Sequence, residues 1–172
     1  SLAELGFSVS ITYSLYRPVA QGDTEMIKSF VRLYRRVYRT IGLVVLTLGL
    51  SLTPFLGFFF KEIPQNIPNI PLIYVLNLIN ASISYFFTYK STLLFVHQKK
   101  YIETSIRAAV SLAATAAQIT VLFLTRNYLF YLYITIGATV IQNAAIAVKA
   151  DRLFPYLREK NVRPLPAGTL DE

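Results

Sequence analysis

The chain has 172 residues, of which 54% are hydrophobic and only 15% charged, and its mean hydropathy is +0.47. That balance belongs to the membrane class rather than to a soluble domain of this length. There are no cysteines, which excludes disulfides, thiolate nucleophiles and Cys-based metal sites, and the net charge is +8.

Residues 1–16 are apolar and helix-capable, with Glu4 inside the run. They have no initiator Met, no basic n-region and no small-residue cleavage site, so they do not form a signal peptide. They read as the second half of a spanning helix from a longer membrane protein. Residues 17–39 form a basic amphipathic connector. Asp23 is placed to cap a helix and Glu25 to occupy its first turn. Met26, Ile27, Phe30, Tyr34, Val37 and Ile41 recur at three- and four-residue intervals, with Lys28, Arg32, Arg35, Arg36 and Arg39 on the remaining surface. The pattern predicts a helix lying at the inner membrane face and running into the next span, with anionic phospholipids as its partner. A direct role with an anionic substrate is the alternative.

Four apolar runs follow, at residues 40–60, 71–96, 106–125 and 127–148. The first and last carry no formal charge, and the others carry one each, Lys90 and Arg107. At about 1.5 Å rise per residue each reaches across the roughly 30 Å hydrocarbon core. Between them lie an outer loop at 61–70, broken by Pro64 and Pro68, and an inner loop at 97–105. Arg126 and Asn127 are all that separate the last two runs, which must therefore form an antiparallel hairpin. Residues 149–172, interrupted by Pro155, Pro164 and Pro166, read as a cytoplasmic tail or linker. The expected fold is all-α, a polytopic transmembrane helical bundle.

Every cation except Lys61, Lys90 and Arg126 falls on one side of this topology. The positive-inside bias makes that side cytoplasmic, with the C-terminus on it. The loops account for the net positive charge without a nucleic-acid partner.

Polar residues inside the runs fall on helical faces. Asn77, Asn80, Ser84, Thr88 and Ser91 form one stripe, Arg107, Ser111, Thr115 and Gln118 a second, and Tyr128, Tyr131, Thr135, Thr139 and Gln142 a third. Ordinary interhelical hydrogen bonding explains any one of them, helped by small residues such as Ala109 and Ala113. Three together point to a polar cavity between helices. Lys90 lies about two turns from the cytoplasmic end and faces away from the asparagine stripe by helical angle. It serves either as a snorkelling anchor or as a cation for a phosphorylated substrate. One histidine, His97, sits at a membrane edge, and no phosphate loop, paired metal ligands or Ser-His-acid set can be assembled. The sequence implies no enzyme, metal or cofactor.

The runs LAELGFSVSITYSLYRPVAQGD (residues 2–23), VRLYRRVYRTIG (31–42), SYFFTYKSTLLFVHQKKYI (84–102) and KADRLFPYL (149–157) carry a resemblance. They resemble the polysaccharide-repeat-unit flippases, of O-antigen and capsule type, in the multidrug/oligosaccharidyl-lipid/polysaccharide exporter superfamily. The resemblance implies a two-lobe transporter of the bacterial cytoplasmic membrane, with this chain as most of the N-terminal lobe. Such a protein moves an undecaprenyl-pyrophosphate-linked oligosaccharide from the inner to the outer leaflet by alternating access. On that analogy Arg17, Lys90 and Arg107 meet the pyrophosphate. Asn77, Asn80, Ser84, Thr88, Gln118 and Gln142 meet sugar hydroxyls. A polysaccharide polymerase and glycosyltransferases are the expected protein partners. Two alternatives stand beside it. One is a drug or metabolite antiporter of the same superfamily, for which Glu4 is the coupling acid. The other is a non-transporting membrane component of a polysaccharide synthesis complex.

Overall fold

The computed structural model describes the backbone of residues 2–55 and 69–158 and the side chains of residues 12–55 and 69–156. Most of the outer loop expected at 61–70, the tail beyond residue 158 and the side chain of Glu4 lie outside the described residues. Five helices follow one another: α1 (Leu2–Gln21), α2 (Thr24–Leu52), α3 (Ile70–Val96), α4 (Lys100–Thr125) and α5 (Tyr128–Leu153). Short 3-10 turns cover Thr53–Phe55 and Pro155–Arg158. Helices α2 to α5 are each long and apolar enough to cross a membrane. The chain is a multi-pass, all-α membrane protein.

The helix ends follow local chemistry. Gly22 closes α1 at φ 69°, a left-handed conformation that suits a residue without Cβ. Asp23 then caps α2, its carboxylate accepting from the Met26 amide at 3.0 Å. Between α4 and α5, Arg126 takes φ 50° and its amide donates to the Leu122 carbonyl. Asn127 caps α5 by accepting from the Leu129 amide at 2.9 Å. A two-residue turn of this kind folds α5 straight back along α4.

The helices do not pack in chain order. Their sequence in space is α2, α3, α5, α4, so α5 lies between α3 and α4, which touch each other far less than each touches α5, while α1 rests on α2 and α3. Helices α3 and α5 run parallel, because their C-terminal ends meet. The His97 ring lies 4.2 Å from that of Phe154, and Lys90 pairs with Asp151 at 2.7 Å.

Helix α2 has 29 residues and is about 43 Å long, against a hydrocarbon core of about 30 Å. The basic amphipathic segment is therefore one rod with the span that follows it. Its apolar face enters the protein core instead of a lipid surface: Ile27, Phe30, Val31, Tyr34 and Tyr38 are buried with Leu15, Leu93, Leu94, Ile146, Ala150 and Phe154. Lys28, expected on the outer surface, is only 6% exposed and pairs with Glu25 at 2.7 Å. Nearly all of this core sits at the basic end. There the helices leave the lipid and apolar faces gain by escaping water. Within lipid that drive vanishes. Accordingly α4 has no buried residue, and Leu112, Ile119, Phe123 and Leu124 stand bare on it.

Contacts within the lipid depth rely on small residues. A Cβ at Gly42 of α2 would lie 3.2 Å from Tyr85 Cβ, and one at Gly49 would overlap the Leu78 side chain. Tyr74 donates across the same contact to the Gly49 carbonyl at 3.0 Å. Gly42 and Gly49 are seven residues apart and share one face, which lets α2 and α3 approach closely.

Candidate functional site

At the basic end α1 and α4 flank α3, and the gap between them is an open groove of about 470 Å³. Helix α1 contributes Thr12, Tyr13 and Tyr16, α3 contributes Ser91, Thr92 and Phe95, and α4 contributes Lys100 and Glu103. Each set is one helical face. Leu15, between Tyr13 and Tyr16, points the other way into the core. The rings of Tyr13 and Tyr16 meet edge to face at 6.1 Å.

The charges of the groove come from the first turn of α4. Lys100 Nζ lies 5.0 Å from the centre of the Phe95 ring, a cation–π distance that holds the ammonium at the groove mouth. Glu103 accepts from Arg107 Nε at 2.8 Å, one helical turn on. The groove thus presents aromatic faces, hydroxyls, one cation and one compensated carboxylate. Such a set has the chemistry to hold polar, hydroxylated groups beside an anion. Among the described residues no cluster of His, Asp and Glu could hold a metal ion.

The residues singled out from sequence are dispersed around this groove rather than gathered in it. Arg17 follows Tyr16 and is exposed. Arg107 reaches the groove only through Glu103. Lys90 precedes the groove residues Ser91 and Thr92 but projects from another face of α3, where Asp151 of α5 holds it. Asn77 is exposed and donates to the Ile73 carbonyl of its own helix at 2.9 Å. Ser84 is exposed, and Thr88 donates back to its carbonyl. Asn80 is half-buried, with Oδ1 lacking a hydrogen-bond partner among the described residues. Gln142 is half-buried. Gln118 crosses to α5, donating to Thr135 Oγ1 at 2.9 Å.

That last bond begins a polar line along α5. Thr135, Thr139, Asn143 and Asp151 recur at intervals of four or eight residues, so the line winds by about 160° from Thr135 to Asp151. It starts on the α4 side, where Thr135 meets Gln118, and ends on the α3 side, where Asp151 meets Lys90. Midway, Asn143 is 3% exposed and its Nδ2 has no partner among the described residues; the hydroxyl of Ser82 of α3, also 3% exposed, has none among them either. The separation between Ser82 and Asn143 equals that between Lys90 and Asp151, so both pairs sit at matching levels of the two parallel helices.

Sequence reasoning missed Tyr13, Tyr16, Phe95, Lys100 and Glu103. The usable signal was the spacing of Lys100, Glu103 and Arg107 at three and four residues, which marks a charged first turn of a helix. It fell in the stretch expected to be the inner loop, whereas α4 begins at Lys100. Comparison of the chain with protein-family models, with curated proteins and with solved structures returned no match.

Proposed function

We propose that the chain belongs to a bacterial membrane transporter that flips an oligosaccharide linked to undecaprenyl pyrophosphate from the inner to the outer leaflet. The groove carries this reading. It is open, lies at the basic end, and sets aromatic rings and hydroxyls beside Lys100. Sugar rings have apolar C–H faces that rest on aromatic rings and hydroxyls that exchange hydrogen bonds, while the diphosphate seeks a cation. Carrying such a headgroup through bare hydrocarbon is prohibitive, because unpaired polar and charged groups lose their water. A polar groove between spanning helices removes that barrier without covalent chemistry.

Two further features support a moving part rather than a closed bundle. Helix α4 is held mainly by α5, and the polar line on α5 offers hydroxyl and amide partners through the lipid depth. In a two-lobe transporter of the resembled family, the bare face of α4 and the groove would face the second lobe. Alternating access then amounts to rocking one lobe against the other.

The test uses cells lacking the gene that encodes this chain, with lipid-linked repeat units on the inner leaflet and surface polysaccharide both quantified. Intermediates accumulate and surface polymer falls. The wild-type gene restores both, and Lys100→Gln combined with Phe95→Ala, at equal membrane levels, restores neither. Unchanged intermediates in the deletion strain overturn the proposal.

A further inference from the structure

One face of α2 is basic below and apolar above. Arg35, Arg36 and Arg39 are exposed, and no ion pair engages them among the described residues. Just beyond them on the same rod, Leu43 is 54% exposed and Leu50 45%. At about 100° per residue, Arg36, Arg39, Leu43 and Leu50 fall within about 60° of one another. The opposite face, with Ile27, Tyr34 and Tyr38, is buried in the core.

This arrangement decides how the segment can meet a membrane. A basic amphipathic helix ordinarily lies flat, with its apolar face in the lipid and its cations above. Here that apolar face is already occupied by the protein, and α2 continues into the span as one helix. The arginines therefore meet the bilayer from the side. From Arg35 to Arg39 the helix rises about 6 Å, which matches one headgroup layer of about 5–8 Å.

We propose that this face of α2 binds anionic phospholipid, with Arg35, Arg36 and Arg39 taking the headgroup phosphate and Leu43 and Leu50 taking an acyl chain. Charge complementarity selects the headgroup. The leucines directly above the cations select a lipid over a soluble polyanion, which has no use for them. The inference does not depend on what the protein transports.

The full chain, reconstituted in phosphatidylcholine vesicles, is probed with spin-labelled phosphatidylglycerol and spin-labelled phosphatidylcholine. The protein-bound fraction of each is read by electron paramagnetic resonance. Phosphatidylglycerol is expected to be favoured about fivefold, the factor that one near-surface cation supplies, and less at high salt. Arg35→Gln/Arg36→Gln/Arg39→Gln brings the ratio to about one. Arg35→Lys/Arg36→Lys/Arg39→Lys keeps it, which separates loss of charge from loss of fold. Lys149→Gln/Arg152→Gln, which removes two exposed cations from the same end of α5, also keeps it. Retention of the preference by the triple glutamine variant overturns the proposal, and so does an equal loss in Lys149→Gln/Arg152→Gln. Wild-type protein that shows no lipid preference but holds heparin through these arginines overturns it in favour of a soluble polyanion.

Discussion

Lys90 and Asp151 make a 2.7 Å ion pair between α3 and α5, with side chains 15% and 27% exposed. Breaking a fully buried pair costs about 3–5 kcal/mol because one charge is stranded, whereas exposed pairs contribute about 0–1 kcal/mol. This pair lies between those limits, and its two halves are not equivalent. Asp151→Asn leaves a lysine whose long stem can carry its ammonium toward the headgroups, so a loss of about 2 kcal/mol is expected. Lys90→Met leaves a short carboxylate in the last turns of α5, where the helix dipole is also unfavourable, and a loss of about 3 kcal/mol is expected. Replacing both, as Lys90→Met/Asp151→Leu, removes the stranded charge and should return stability to within about 1 kcal/mol of wild type. The charge reversal Lys90→Asp/Asp151→Lys should recover part of the loss. The assay is equilibrium unfolding in detergent micelles, arranged as a double-mutant cycle. Single losses that add in the double variant to within about 0.5 kcal/mol refute the pairing and return Lys90 to the candidates for contact with an anionic substrate.

Three more variants follow from the same physics. Gly42→Ala should destabilise by about 1–2 kcal/mol, because Tyr85 Cβ, 3.2 Å from the new methyl, is tied to its backbone and cannot swing aside. Gly137→Ala, with nothing within 4 Å, should be neutral or stabilise by up to about 1 kcal/mol through helix propensity; the same unfolding assay reads both, and equal effects would contradict the packing argument. Tyr156, beyond α5, has a buried hydroxyl without a partner among the described residues, and burial pushes its phenol above the usual value of 10.0. Tyr156→Phe should therefore stabilise by about 1 kcal/mol at neutral pH. A raised phenol pKa favours the folded state below the unfolded value and loses that advantage as pH rises through the folded one. The variant should accordingly flatten the alkaline decline above pH 10 seen by thermal unfolding, and an unchanged decline would refute the assignment.

Much of the fold was legible because the relevant physics is local. A run of residues without charge and long enough to cross hydrocarbon is a property of its own composition, and so is the bias of cations to one side. Asp23 as the cap of α2 and Arg126-Asn127 as a hairpin turn were readable for the same reason: each cap bonds to an amide or carbonyl within four residues.

What composition could not reveal is which faces meet. In water, burial of the apolar face assigns a helix its side, and the periodicity of residues 26–41 did announce a buried stripe on α2. It could not announce what covers that stripe, which turned out to be α1, α3 and α5 rather than lipid. Within the bilayer every face of a spanning helix is about equally welcome in its solvent, so the insertion of α5 between α3 and α4 has no signature in the pattern. Lys90 shows the consequence. Its position in an apolar run was plain from the sequence, but its partner lies 61 residues away in a stretch that read as a tail. The groove has the same origin: Tyr13, Phe95 and Lys100 come from three helices and become neighbours only when α1 and α4 settle on either side of α3. The sequence alone determined the apolar spans, the Asp23 cap, the Arg126-Asn127 turn and the basic end. The tertiary structure alone decided the ion pair and the groove, because both are contacts between helix faces that lipid does not distinguish.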